Sequence, residues 1–387
     1  MASIGTTSCK IRPRRRVATM AAPKRKMPPV RRGGAIFRLA LTLLLLALAL
    51  VPFFATTRLD GGGGGGGGGG GSDDAIQPVS CQRYLNDPSI YDSNRDLTRD
   101  ETRRLTTTDP QFYISLHSQW FDKMRWVHIM KQGEYYEKGL TRLFRRILTE
   151  YDTTSTPRPL MLDVGMNIGW FSLYARAMKH DFAAFEPNPT MFLRVCESLE
   201  HNGWDNDRGI MLWNYGLGVT PGTFNITTGN NPGGSSFHED RLAAKFRKKM
   251  PVAVTTLDTV ALQQGWLDRK ISLMKVDVEG FENFVFEGGR KLVYNGNIDN
   301  IIMENSISDK NVVGGMVDLL YGAGYRVKEI LSVNGDPYHE DWWHTFNPEL
   351  EKRHNAKEDI ESDQMNFLSK ATSNIWWQQK RIMDKNR

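Results

Sequence analysis

The stretch Pro159-Leu160-Met161-Leu162-Asp163-Val164-Gly165-Met166-Asn167-Ile168-Gly169-Trp170-Phe171-Ser172 decides how this chain is read. Leu160 to Val164 is short and almost wholly apolar, as a strand buried on both faces must be. Gly165 and Gly169 mark two places where a side chain would block a turn or the approach of a ligand. Phe171, Leu173, Tyr174, Ala175 and Ala177 then follow at helical spacing. Strand, glycine turn and helix in this order make the nucleotide-binding entry of a doubly wound α/β domain.

The carboxylate in that stretch restricts the ligand. Dinucleotide enzymes set a pyrophosphate against the helix N-terminus, and Asp163 would repel it. The spacing also departs from G-x-G-x-x-G, because Asn167 stands where the middle glycine would be. A cationic, hydroxyl-rich ligand such as S-adenosylmethionine (SAM) suits the acid better than NAD does. A buried strand with a tight turn and no ligand remains the bland alternative.

Further acids follow at expected strand ends. Asp181 to Phe185 reads as a second buried strand, and Glu186 lies 23 residues beyond Asp163, where a carboxylate reaches a ribose. Pro187 and Pro189 stop that strand and start a helix, Met191 to His201. Met211 to Val219 reads as a third strand, and Thr223 to Thr228 as another. Ile271 to Val278 is a fourth core strand, with Lys275, Asp277 and Glu279 at alternate positions and so on one face. Three charges on a buried strand are costly unless they serve a site at its C-terminal end; a structural salt bridge of Lys275 with Asp277 or Glu279 is the alternative. Ile301 to Asn305 is a fifth strand with Glu304 near its end. Val312 to Tyr321 and Arg326 to Val333 add a helix and a strand.

Four segments together resemble the FkbM family of SAM-dependent methyltransferases. They are Leu162-Asp163-Val164-Gly165-Met166-Asn167-Ile168-Gly169, Phe185-Glu186-Pro187-Asn188, Thr255-Thr256-Leu257-Asp258 and Met274-Lys275-Val276-Asp277-Val278-Glu279-Gly280-Phe281-Glu282. The similarity runs over roughly 110–370 and includes a Gly133-Glu134-Tyr135-Tyr136-Glu137 lead-in and a late strand near Met365-Asn366-Phe367-Leu368. Met166 replaces the family's usual small residue and is expected to point away from the ligand.

The resemblance implies a class I, Rossmann-like α/β fold: a mostly parallel seven-stranded sheet with helices on both faces. It implies SAM as cofactor, held by Asp163, Gly165, Asn167, Gly169, Glu186, Asn188 and Asp277. Methyl transfer to a hydroxyl needs a base or a metal. Asp277, Glu279, Glu304 and His238 are the candidate bases, and no metal-ligand spacing is present. The family carries a Gly/Ser loop like Asn230 to Ser236, which is expected near the acceptor or the SAM carboxylate. Glu134 and Glu137 are expected either to cap the ligand site or to start a solvated helix.

The net charge of +6 belongs to the N-terminus. Residues 1–58 hold twelve Lys/Arg and no Asp/Glu, which leaves 38 basic and 44 acidic residues for the rest. Nothing in the remainder reads as a nucleic-acid footprint. Residues 1–35 are a basic tail. Residues 36–55 contain the uncharged run Leu39 to Ala55, near the short end of a bilayer span. Basic residues before it and Asp60 after it predict a single-pass type II signal-anchor, with a cytosolic N-terminus and a lumenal domain in the Golgi or ER. A cleaved signal peptide and an organelle transit peptide stay open. Residues 56–109 read as linker and stem. They include eleven glycines, Gly61 to Gly71, a coil spanning on the order of 18–20 Å. Residues 110–387 are the expected methyltransferase domain.

Smaller features complete the reading. Phe112, Ile114 and Leu116 alternate as in a strand, and Leu140 to Leu148 form an amphipathic helix. Cys9, Cys81 and Cys196 give no disulfide framework; Cys196 is expected to pack on a helix, with a Cys81–Cys196 bridge as the alternative. Asn225-Ile226-Thr227 is a glycosylation sequon on an expected strand. Trp342-Trp343-His344 and Trp376-Trp377 either line an acceptor groove or pack under loops. The acceptor is expected to be a glycan or related small molecule. A nucleotide-dependent oxidoreductase and a catalytically inactive membrane-tethered binding module are the competing functions.

Overall fold

Alternation along the strands puts both faces of one sheet into apolar surroundings. Leu160, Leu162 and Val164 belong to one core cluster with Ala183, Phe185, Met274 and Val276. Met161 belongs to a second, with Phe182, Ala184 and Leu273. A sheet covered on both faces is what a doubly wound α/β fold requires.

The computed structural model describes residues 76–87, 99–117, 136–228, 248–295, 297–307, 309–331 and 373–386. The expected membrane span, the glycine run, Glu134, Asn230 to Ser236, His238, Trp342-Trp343-His344 and Met365 to Leu368 lie outside these residues. Among the described residues no helix is long and apolar enough to cross a membrane.

The chain begins with two short helices, α1 (Cys81–Asn86) and α2 (Arg99–Thr102), and a two-stranded ladder of β1 (Arg103–Leu105) and β2 (Tyr113–Ser115). Helix α3 (Lys138–Leu148) buries Leu140, Leu143, Phe144, Ile147 and Leu148, a stripe at 3.6-residue spacing. Each such side chain contributes about 1.5–3 kcal/mol on full burial. Then come β3 (Leu160–Val164), α4 (Trp170–Ala177), β4 (Asp181–Phe185), α5 (Pro189–Asn202) and β5 (Ile210–Trp213). Asn188 caps α5 by accepting from the Thr190 amide, Pro189 opens it, and Gly203 closes it at φ 67°.

The chain continues through β6 (Gly216–Leu217), β7 (Gly222–Thr228), β8 (Lys248–Thr255), α6 (Leu257–Gln263), β9 (Ile271–Val276), α7 (Glu282–Gly288) and α8 (Arg290–Tyr294). It ends with β10 (Asn300–Asn305), α9 (Lys310–Gly322), β11 (Tyr325–Leu331), β12 (Ser373–Gln379) and α10 (Lys380–Met383).

Seven strands form the main sheet in the order β11-β12-β10-β9-β3-β4-β5. Strand β12 runs antiparallel to both its neighbours, and the pairs from β10 to β5 are parallel. This is the expected mostly parallel seven-stranded Rossmann-like sheet. Chain order reverses at β3, which has β4 on one side and β9 on the other, so the switch point lies at its C-terminal end.

Several expectations are corrected. The expected third strand divides into β5 in the main sheet and β6 in a separate sheet of order β6-β8-β7. The segment Val252 to Thr255 belongs to that small sheet too. Between β9 and β10 the helical segment is broken into α7 and α8 at Gly289. Trp376 and Trp377 lie in β12 and are buried, so they pack rather than line a groove.

The expected stem is also partly folded. The Val79 amide donates to Leu212 O, alongside β5. Cys81 on α1 is bonded to Cys196 on α5 with Cα atoms 5.2 Å apart, so Cys196 is cross-linked and not merely packed. Arg103 to Leu105 enter the β1–β2 ladder, whose Ser115 amide donates to Ser198 Oγ on α5.

Candidate active site

The turn after β3 is built around Gly165. It has φ 83°, and a Cβ there would stand 1.9 Å from the Asp277 carbonyl oxygen. The ends of β3 and β9 therefore meet without a side chain between them. The Gly165 and Met166 amides both donate to Phe185 O at the end of β4. Three adjacent strand ends are thus tied at the switch point.

A cleft of roughly 200 Å³ opens there. Its floor is Val164, Gly165 and Asn167 from the first turn. Phe185, Glu186 and Pro187 form one side, and Asp277, Val278 and Glu279 the other. Glu304 comes from the end of β10, and Tyr136 and Glu137 from the start of α3. Met191, Tyr215, Gly216, Leu217 and Ile226 close the apolar end.

Glu186 is buried, and both its oxygens are held. Oε2 accepts from the Asn167 amide and Oε1 from the Asn188 amide, each at 2.9 Å. Asn167 presents its amide from a left-handed conformation, φ 57°, which asparagine tolerates better than most residues. Burial pushes the Glu186 carboxyl up to about 7, against the two amide bonds. Glu186 stands in the cleft wall between the Asn167 and Asn188 amides.

The opposite wall concentrates charge. Lys275 is buried, and its Nζ donates to Asp277 Oδ2 at 2.8 Å while lying 5.3 Å from the centre of the Phe171 ring. Strand β9 ends at Val276, so Asp277 and Glu279 stand on the turn beyond it and do not alternate with Lys275 along a strand. Glu279 and Gly280 are consecutive residues with positive φ, 55° and 100°. Glu304 is pushed up to about 9, first by the Asp277 charge and then by burial, with Glu137 and Glu279 adding to it.

Of the expected site residues, Gly165, Asn167, Glu186, Asp277, Glu279 and Glu304 line the cleft. Asp163, Gly169 and Asn188 do not. Asp163 lies on the strand face that meets α4, where Ser172 Oγ donates to its Oδ2 at 2.6 Å. Its Oδ1 has no hydrogen-bond partner among the described residues, and burial raises its pKa despite Lys275. Asp163 is therefore a buried support behind the wall. Gly169 caps α4, where a Cβ would touch Val195. Asn188 is spent on capping α5. Met166 is buried in the second core cluster and is not part of the cleft wall.

Sequence reasoning left out Tyr136, Tyr215, Met191, Leu217 and Ile226. Pro187 and Pro189 marked the end of a strand, but nothing local marked which apolar neighbours face a cleft. Among the described residues no group of His, Cys, Asp and Glu is arranged to hold a metal ion.

Residues 163–327 match the model of the Methyltransferase FkbM domain. The chain is 29% identical over 177 residues to "Methyltransferase sdnD" of Sordaria araneosa, covering 38% of this chain and 67% of that protein. Among solved structures, it is similar to methyltransferase FkbM from Methylobacillus flagellatus KT, with 15% identity and a TM-score of 0.31. That match covers 44% of this chain and only 39% of the other. A second similar structure is StiE O-MT residues 961–1257, with 12% identity and a TM-score of 0.29, covering 67% of this chain and 82% of that one.

Proposed function

We propose that this chain, which carries a methyltransferase domain of the FkbM type, is a SAM-dependent O-methyltransferase. Its acceptor is a hydroxyl on a glycan or related small molecule. The observation that carries this reading is the cleft at the switch point, where Glu186, Asp277, Glu279 and Glu304 converge and Lys275 is buried and paired with Asp277. Such a wall suits a cofactor with a sulfonium and an ammonium group and opposes a pyrophosphate.

The residues fit SAM in three respects. Glu186 holds two hydroxyls while its carboxylate stays fixed by two amides. The apolar end, with Met191, Tyr215 and Leu217, receives a flat base. Asp277 faces the cationic end. When bound, SAM supplies an electrophilic methyl group. The chain aligns the acceptor with it, which is where much of the acceleration in such reactions arises. Glu304 keeps its proton near neutral pH and donates a hydrogen bond to the acceptor. Asp277 or Glu279 takes the acceptor's proton.

The same reading places the domain in the lumen of the Golgi or ER on an uncleaved N-terminal anchor. The acid-free basic leader, the uncharged run and the Cys81–Cys196 disulfide support that side of the membrane. Asn225 of the sequon is exposed on β7.

Calorimetry of the full chain with SAM, S-adenosylhomocysteine (SAH) and NAD tests the function. Binding of SAM and SAH but not NAD is expected, and no binding of SAM or SAH at millimolar concentration sinks the reading. Protease protection in sealed microsomes tests the topology; a domain digested without detergent overturns it.

A further inference from the structure

Helix α1 lies far upstream of the segment that matches the domain model, yet it reaches the cleft through one side chain. Tyr84 Oη donates to Asn214 Oδ1 at 2.8 Å. The Asn214 amide group then donates to Glu186 O at 2.7 Å and to Pro187 O at 3.1 Å. Glu186 and Pro187 form one wall of the cleft, and Asn214 directly precedes Tyr215, Gly216 and Leu217, which form its apolar end. One carboxamide thus ties the segments that leave β4 and β5.

An asparagine amide can turn either end toward a neighbour. The two carbonyls can only accept, so Nδ2 must face them, which turns Oδ1 to the Tyr84 hydroxyl as acceptor. Burial raises the Tyr84 pKa, which keeps its hydroxyl in the donating form. Tyr84 is itself fixed twice. Its ring lies 4.5 Å from that of Phe192, and Cys81, one turn earlier on the same face, is bonded to Cys196, one turn after Phe192. A six-residue helix cannot sustain itself in isolation, so these two attachments hold it.

We propose that Tyr84 and Asn214 are positioning residues for the cleft, held in place by the Cys81–Cys196 disulfide. The proposal rests on the SAM reading above for its ligand, and it makes the segment before the matched domain a working part of the site. Loss of that cross-link, as in Cys81→Ser, loosens α1, weakens its hold on the Asn214 amide, and lets the Glu186 and Tyr215 walls separate.

The test compares SAH affinity in the full chain, wild type against Tyr84→Phe, Cys81→Ser and the double variant. Tyr84→Phe removes one hydroxyl and is expected to weaken SAH roughly 5–10-fold with little change in melting temperature. Cys81→Ser is expected to weaken it comparably, and the double variant no more than the stronger single one, because both act through one brace. Wild-type affinity in Tyr84→Phe, or fully additive losses, overturns the proposal.

Amide hydrogen exchange across 186–188 and 214–217 reads the brace without any ligand. Faster exchange in both segments of Tyr84→Phe supports it, and unchanged exchange overturns it. A wild-type chain that ignores SAH but shows this exchange response would sink the methyltransferase reading and leave the brace standing.

Discussion

Lys275 and Asp277 form the one buried-cation contact of the cleft wall among the described residues: Nζ donates to Oδ2 at 2.8 Å, with Lys275 inside the sheet and Asp277 at its edge. Burial alone would lower the lysine, but the Asp277 and Asp163 carboxylates outweigh it and hold the ammonium above its usual range. Its stabilisation is therefore present at neutral pH and lost only as pH rises through that elevated value. Lys275→Met leaves Asp163 and Asp277 without their cation. We expect a loss of about 2–4 kcal/mol, below the full cost of breaking a wholly buried pair because Asp277 is partly solvated. A urea unfolding curve checks it, and a loss under about 1 kcal/mol would show that the carboxylates do not depend on Lys275.

The acids of the site give the protein a pH dependence of defined sign. Glu186 and Glu282 are each pushed up to about 7, chiefly by burial, and Glu304 up to about 9 by Asp277 and burial. An unfolded glutamate titrates near 4.3, so the folded state binds these protons more tightly. Their stabilisation is complete below that value and is lost as pH rises through 7 and then 9. The ligand-free protein should melt lower at pH 9 than at pH 6, by roughly 2–4 °C for each kcal/mol involved. Glu304→Gln should flatten the upper part of that slope. A melting temperature that rises from pH 6 to 9 would contradict the assignment.

The fold was legible from residues 159 to 305 because its strands are short apolar runs whose ends are marked by glycine, proline or acid. Gly165, Glu186, Asp277 and Glu304 stood out for that reason. Strand period says that Asp163 opposes its neighbours, but not which face carries the cleft; Asp163 lies on the face that meets Ser172 of α4. Strand β12 was not legible at all. Its buried Gln378 and Trp376 both donate to Asn300 Oδ1, a partner supplied by β10 and invisible in the local pattern. The same holds for Cys81 and Cys196, joined across 115 residues. The polar segment around Tyr84 reads as a stem because its few apolar groups find their surface on α5 and beside β5, both distant in sequence.

Gly165 and Gly203 both have positive φ, at 83° and 67°, but only the first is crowded. A Cβ at Gly203 meets nothing within 4 Å, whereas at Gly165 it meets Asp277 O at 1.9 Å. Gly203→Ala should cost about 1–2 kcal/mol of backbone strain alone. Gly165→Ala adds about 1–3 kcal/mol of overpacking and pushes β9 away from β3, so SAH binding should be lost with it. Thermal melts of the two variants, with an SAH titration of each, check the contrast. Equal losses of stability, with binding intact in both, would mean that the two strand ends do not meet as described.

The turn that carries Asp277 and Glu279 is held by a residue outside the cleft wall. Glu282, at the start of α7, is fully buried, and its Oε1 accepts from the Gly280 amide at 3.0 Å and the Val278 amide at 3.3 Å. Glu279, at φ 55°, stores strain in this turn, of order 1–3 kcal/mol for a non-glycine residue, and such strain persists only where neighbours enforce it; Gly280 takes its positive φ without that cost. Glu282→Gln keeps an acceptor oxygen for both amides and loses the buried charge; Glu282→Leu keeps the volume and loses the acceptor. We expect Gln to retain SAH affinity within about three-fold, and Leu to lose about ten-fold or more as the Val278 and Gly280 amides lose the Glu282 acceptor. Exchange of the Val278 and Gly280 amides should speed up in the Leu variant alone. If Leu matches wild type in both readouts, the turn holds itself and Glu282 is only a filler of the core.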